Sequence, residues 1–136
     1  MPYAVLDTNV VVSALLKANS TPSLILEQVF TGKIIPVSNE KILAEYDEVL
    51  RRRKFNFPEN NISKIINGFL NRGIFCEPAE LDYKLIDERD EIFLAVAISS
   101  GAFLITDNTK HFPKENFVVT PQEMISFVQQ SSRDHS

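Results

Sequence analysis

"YAVLDTNVVVSALL", residues 3–16, is the stretch on which the reading of this chain turns. Residues 2–7 have the length and apolarity of a short buried strand, and the run ends on a carboxylate, Asp7, followed by Thr8 and Asn9. A buried, unpaired charge costs several kcal/mol, so Asp7 either has a partner or lies at a strand end open to water or a cation. One acid decides nothing, and the rest of the chain is read for others that converge on it.

Working outward, 136 residues fit a single domain, expected over 1–130, with "SSRDHS" (131–136) as a frayed, disordered tail. A 44% apolar and 24% charged composition is that of an ordinary globular chain. The net charge of −4 excludes a histone-like or arginine-rich mode of binding, so contact with nucleic acid would need a local basic patch and help from a metal. Cys76 is the only cysteine, which excludes a disulfide framework and a thiolate zinc site. No basic segment with an apolar run precedes the first strand, and no stretch approaches the ~18 apolar residues of a membrane span. A cytoplasmic protein with no membrane partner is expected.

Periodicity and punctuation predict a strand over 2–7, helices over 9–17 and 22–31, and a second strand over 33–38. Pro36 marks that strand as irregular or an edge. Ser38 is expected to cap a helix over 39–53, and 54–61 reads as a loop. A helix over 60–72 ends at Gly73, and a third strand over 74–78 puts Cys76 in the core. A helix over 87–100 closes at Gly101, strands follow over 102–106 and 117–120, and Thr120 to Glu123 form a capping box opening a helix over 121–130. Strands alternating with helices predict an α/β fold with a mostly parallel sheet.

In such sheets, ligands bind beyond the carboxyl ends of the strands. Asp7 and Asp107 stand at two of those ends, with Asn9 and Asn108 nearby. Each acid alone would read as a cap or turn residue; two at neighbouring strand ends weaken that reading. Glu45 lies three residues after Ile42 and four before Val49, on the apolar stripe Ile42, Tyr46, Val49, Leu50. Asp90 precedes Phe93 by three and Leu94 by four, on the stripe Phe93, Leu94, Ala97, Ile98. Asp47, Glu48 and Glu88 fall off these stripes, and Glu91 is ambiguous. Inward acids need a counter-charge, and neither stripe carries a lysine or arginine. Hard oxygen ligands suit Mg²⁺ or Mn²⁺, whose chemistry in such sites is phosphoryl transfer.

With these acids in place, "VLDTNVVVSAL", "ILAEYDEVLRR", "DERDEIFLAVA" and "LITDNTKHFP" together resemble, in order and over nearly the whole chain, the motifs of the PIN-domain ribonucleases. More narrowly, they resemble the toxin components of bacterial toxin–antitoxin systems. The resemblance implies a three-layer α/β/α fold with a five-stranded sheet and divalent-metal-dependent endonucleolytic cleavage of single-stranded RNA. It also implies an antitoxin partner and a homodimer. Carried over by position, it makes Asp7, Glu45, Asp90 and Asp107 the catalytic and metal-binding acids, with Asn9, Thr106 and Asn108 in support. The fourth position departs from the family: relatives commonly read Thr-Gly-Asp where this chain reads Thr106-Asp107-Asn108. Either Asp107 reaches the metal from a shifted start, or Asn108 ligates weakly, or the second metal site is poor.

"RRRK" (Arg51, Arg52, Arg53, Lys54) is the densest cationic run and reads equally as a solvated helix end or as a place for an RNA backbone. His111 reads as surface or loop packing rather than a general base, and Phe55 and Phe57 read as packing, with stacking on bases as the alternative. A phosphatase of the haloacid-dehalogenase type would need a second aspartate where Asn9 stands. A non-catalytic RNA- or protein-binding module on the same fold is the remaining alternative.

Overall fold

The computed structural model describes residues 1–82, 84–85 and 87–134, with side chains described as far as Ser131. The elements run β1 (Tyr3–Leu6), α1 (Thr8–Leu16), α2 (Thr21–Phe30), β2 (Ile35–Ser38), α3 (Glu40–Leu50) and α4 (Glu59–Arg72). They continue with β3 (Ile74–Phe75), α5 (Glu88–Ser100), β4 (Phe103–Ile105), a 3-10 turn over Thr109–His111, β5 (Val118–Val119) and α6 (Pro121–Asp134). Five parallel strands in the order β3-β2-β1-β4-β5 lie between helices, a three-layer α/β/α fold.

β1 is central because its residues are apolar on both faces: Ala4, Val5 and Leu6 are fully buried. It pairs with β4 through Leu6 and Ile105, which brings Asp7 and Thr106 side by side at the carboxyl end of the sheet. α5 packs on β1, β2 and β4 and also meets α3. That junction is filled by Tyr46, Phe69 and Phe93, with Tyr46 and Phe69 edge to face at a centroid distance of 5.4 Å. Burying an aromatic side chain of this size stabilises by about 1.5–3 kcal/mol. Tyr46 and Phe93 therefore anchor the two helix faces that carry Glu45 and Asp90.

Pro36 does not mark an edge. β2 lies between β3 and β1, with Pro36 in register with Ala4. The Ile35 amide donates to Pro2 O on the β1 side, so the amide proton missing at 36 falls on the β3 side, where pairing begins only at Val37 and Ile74. Gly73 is needed there as well as at the end of α4: a Cβ on it would stand 2.3 Å from Pro36 O.

Several boundaries move. Asn39, not Ser38, caps α3, accepting from the Ile42 amide at 2.9 Å, and the helix stops at Leu50 rather than 53. Cys76 lies beyond β3 and is half-buried, its amide bonded to Ser38 O. Ile98 is exposed despite its place on the α5 stripe. α6 runs to Asp134, so 131–134, expected in the tail, are helical; residues 135 and 136 lie outside the described residues. Gly101 does adopt the left-handed conformation (φ 70°) that closes α5. The capping box at the start of α6 forms in both directions, at 3.0 and 3.1 Å.

Candidate active site

Asp7 follows the last residue of β1 and stands at the N-terminal boundary of α1. Its amide donates to Ile105 O, which binds the backbone here to the neighbouring strand. Its carboxylate is nearly enclosed, with 5% of the residue exposed, and accepts from the Thr106 hydroxyl at 2.8 Å. The same hydroxyl oxygen accepts from the Asn108 amide at 3.0 Å. Thr106 is thus pinned from both sides. Tyr46 braces the same strand end from α3: its buried hydroxyl donates to Leu6 O. A helical tyrosine four residues before Leu50, on the inward stripe, signals this in sequence, because a buried phenol requires an acceptor.

Asp90 enters from the first turn of α5, capped by Asp87, whose carboxylate accepts from the Arg89 amide at 2.9 Å. Glu45 enters from the middle of α3. Asp7, Glu45 and Asp90 line one small pocket of about 90 Å³, together with Thr8, Asn9, Arg52, Asp87 and Arg89, over a floor of Val49 and Phe93. Asp107 does not line it. That side chain is exposed, although its negative charge reaches Asp7. Three of the four expected acids are brought together, and the fourth stands at the rim.

The electrostatics follow from burial and crowding. Burial pushes the Asp7 carboxyl above the usual aspartate value, and the charge of Asp107 adds to this. The Thr106 hydroxyl and the amides of Thr8 and Asn9 work against it. Asp90 is also raised, first by desolvation, then by the charges of Asp7 and Asp87, with His111 opposing. Burial, and then the Asp7 charge, push the Tyr46 phenol well above its ordinary range.

The counter-charges lie where the apolar stripes do not look. Arg89 sits one residue before Asp90, and its long side chain reaches to 3.9 Å from Glu45 Oε1 and 3.9 Å from Asp87 Oδ1. Arg52 lines the pocket while pairing with Glu48 at 3.0 Å. Arg51 is tied on the surface to Asp47 and Glu59, and Arg53 and Lys54 are exposed, so of the basic run only Arg52 reaches the site. His111, expected as loop packing, places Nδ1 3.5 Å from Asp90 Oδ2. Glu91 is settled by its bond from the Leu85 amide at 2.9 Å. Phe55 and Phe57 stack on each other at 5.3 Å and pack against the core.

Two buried oxygens of residues that line this pocket, Asp90 Oδ2 and Thr8 Oγ1, make no hydrogen bond among the described residues, and Asp90 Oδ2 has only the long His111 contact. Among the described residues, no three carboxylate, histidine or cysteine side chains close on one point as a cage. The donor set still fits Mg²⁺ or Mn²⁺: such ions are commonly held by one or two carboxylates, with waters and substrate phosphates completing the shell.

Residues 3–110 match the model of the PIN domain. The chain belongs to the PIN-domain family. PIN domains are generally nucleases, and those nucleases generally use divalent metals. This PIN domain is also similar to an uncharacterized protein of Methanocaldococcus jannaschii, 33% identical over an alignment that covers 89% of this chain and 88% of the relative. Among the described residues no helix is long and apolar enough to cross a membrane.

Proposed function

We propose that this PIN domain is a divalent-metal-dependent endoribonuclease that cleaves single-stranded RNA. The observation that carries the reading is the convergence of Asp7, Glu45 and Asp90, from a strand end and two helices, on one pocket with an unsatisfied buried carboxylate oxygen. A bound Mg²⁺ or Mn²⁺ would supply positive charge at the phosphoryl oxygens and increased acidity to water. Asp7 and Asp90 are the residues that would hold it, with Glu45 as anchor or as the base that takes the proton from attacking water. Thr106 holds Asp7 in one orientation, as ligand carboxylates generally require. Asn9, exposed at the pocket mouth, orients substrate or water, and Asp107 or Asn108 would complete a weaker second site at the rim.

A pocket that positions water on a phosphate rather than reading base edges favours single-stranded or unpaired RNA. The motif resemblance extends the proposal to a cytoplasmic toxin of a toxin–antitoxin pair, with an antitoxin protein as partner and a homodimer as its assembly.

The test is cleavage of a labelled single-stranded oligoribonucleotide by purified protein. EDTA should abolish cutting, and Mn²⁺ or Mg²⁺ should restore it. A protein that binds the RNA tightly but cuts it with neither ion is a non-catalytic binding module, and the nuclease reading is then wrong.

A further inference from the structure

A pocket of about 90 Å³ takes a cation and phosphoryl oxygens but leaves the sugar and base of the substrate outside. Glu45 and Arg89 also line a second cavity, an open groove of about 500 Å³ between α3 and α5, within the roughly 300–1,000 Å³ of small-ligand sites. Its floor is aliphatic, made by Ile92 and Ala95 of α5 and by Leu81. The strap leading to Leu81 is fixed along the helix, for the Ala79 amide donates to Ala95 O at 3.0 Å. Lys41, one turn before Glu45 on α3, stands on the groove wall, and Arg89 stands at the junction of the two cavities.

We infer that this groove is the subsite for the nucleotide next to the scissile phosphate, with its base on the Ile92 and Ala95 floor and its phosphates on Arg89 and Lys41. The inference rests on the nuclease reading for its substrate class. Of the groove's carboxylates, Glu91 is committed to the Leu85 amide, Glu45 belongs to the wall shared with the acidic pocket, and Glu88 is exposed on the rim. Among the described residues Arg89 makes two long contacts, and it is mostly solvent-exposed, so it can turn from Glu45 and Asp87 to an incoming phosphate. An aliphatic floor reads no base edge, which makes the subsite tolerant of sequence. The groove on the far side of the 3-10 turn, which includes Lys110 and Lys114, shares no residue with the acidic pocket.

The experiment is fluorescence anisotropy of a short single-stranded oligoribonucleotide in EDTA, where no cutting occurs, over a range of salt. Cleavage of the same strand in Mn²⁺ is run in parallel. Arg89→Ala should weaken binding about tenfold and reduce the salt slope by about 0.7, the value for one phosphate contact on a single strand. Ile92→Asp and Lys41→Ala should each weaken it severalfold, and Lys114→Ala should leave it unchanged. Circular dichroism checks that each variant is folded, and Lys41→Ala, at an exposed position, keeps the test decisive if Ile92→Asp is not. Wild-type cleavage together with undiminished binding by Arg89→Ala and Lys41→Ala overturns the subsite and leaves the nuclease reading standing. Weakened binding by those variants, with no cleavage by wild type, supports the subsite and overturns the nuclease. An equal loss in Lys114→Ala overturns the placement of the strand.

Discussion

The wall of the pocket that carries Asp7 is held by short, buried hydrogen bonds, whereas the wall that carries Asp90 is held by longer contacts open to solvent. On the first, Asp7, Thr106 and Asn108 are linked at 2.8 and 3.0 Å beyond two paired strands. On the second, Asp90 meets His111 at 3.5 Å, and Arg89 reaches Glu45 and Asp87 at 3.9 Å. Exposed ion pairs contribute only about 0–1 kcal/mol, while a hydrogen bond to a buried charge contributes about 1.5–3 kcal/mol. The side chains of the strand wall are therefore part of the fold, and on the helix wall, whose backbone Phe93 anchors, the side chains of Arg89 and His111 are free to adjust to a ligand.

The largest expected effect removes the comparison altogether. Asp90→Asn and Asp7→Asn should each lower RNA cleavage by about a thousandfold or more, above the roughly 10²–10³ of losing a single transition-state hydrogen bond. Both should stay folded by circular dichroism. Asp90→Asn cutting at the wild-type rate would place the activity elsewhere.

Thr106→Val separates the walls. It should cost about 10–100-fold in metal affinity or activity, the scale for a group that orients a ligand. It should also destabilise by about 1.5–3 kcal/mol, because Asp7 and the Asn108 amide lose a partner in the interior. His111→Ala, on the looser wall, should leave the melting temperature almost unchanged. Equal melting losses in the two variants would erase the distinction.

A smaller effect concerns pH. The folded protein binds protons at Asp7 and Asp90 more tightly than the unfolded chain, whose carboxyls titrate near 3.8. Stability from these two groups is therefore complete below that value and is lost as pH rises through their raised folded values. Without metal, Asp7→Asn should melt above wild type at neutral pH and show a flatter dependence as pH rises above the ordinary aspartate range. Added Mn²⁺ should raise the wild-type melting temperature and leave that of Asp7→Asn nearly unmoved. A thermal scan in EDTA with Asp7→Asn clearly below wild type would contradict the assignment.

The smallest effect is at the rim. Asp107→Asn should change cleavage only severalfold, since that carboxylate is exposed and does not line the pocket. A loss as large as that of Asp90→Asn would put Asp107 in the inner site.

How much of this was legible in the sequence follows from what each signal measures. The β1 strand, the α5 cap at Gly101 and the Thr120–Glu123 box are local patterns, and each appears in the structure. Glu45 and Asp90 were found by helical phase. Arg52 is visible in the sequence only as part of the basic run 51–54, and Arg89 is not, because phase locates a Cα direction and not the reach of a long side chain that bends toward a neighbouring charge. Ser38 lost the cap to Asn39 because β2 runs one residue further than a cap at 38 allows. Pro36 misled because a proline's cost depends on which neighbour its missing amide would have faced. Asp87 reaches the site locally, as the cap of the helix that carries Asp90, whereas His111 arrives through tertiary approach that no spacing rule describes.

The Thr106 hydroxyl carries a single proton. With its oxygen occupied by the Asn108 amide, that proton is directed to Asp7 Oδ2, since no other acceptor is bonded to it among the described residues. The two oxygens of Asp7 are therefore no longer interchangeable. Oδ2 is tied to the fold by the hydroxyl proton, whereas Oδ1 receives no side-chain donor among the described residues. The backbone amide of a loop residue thereby breaks the symmetry of a carboxylate on another strand.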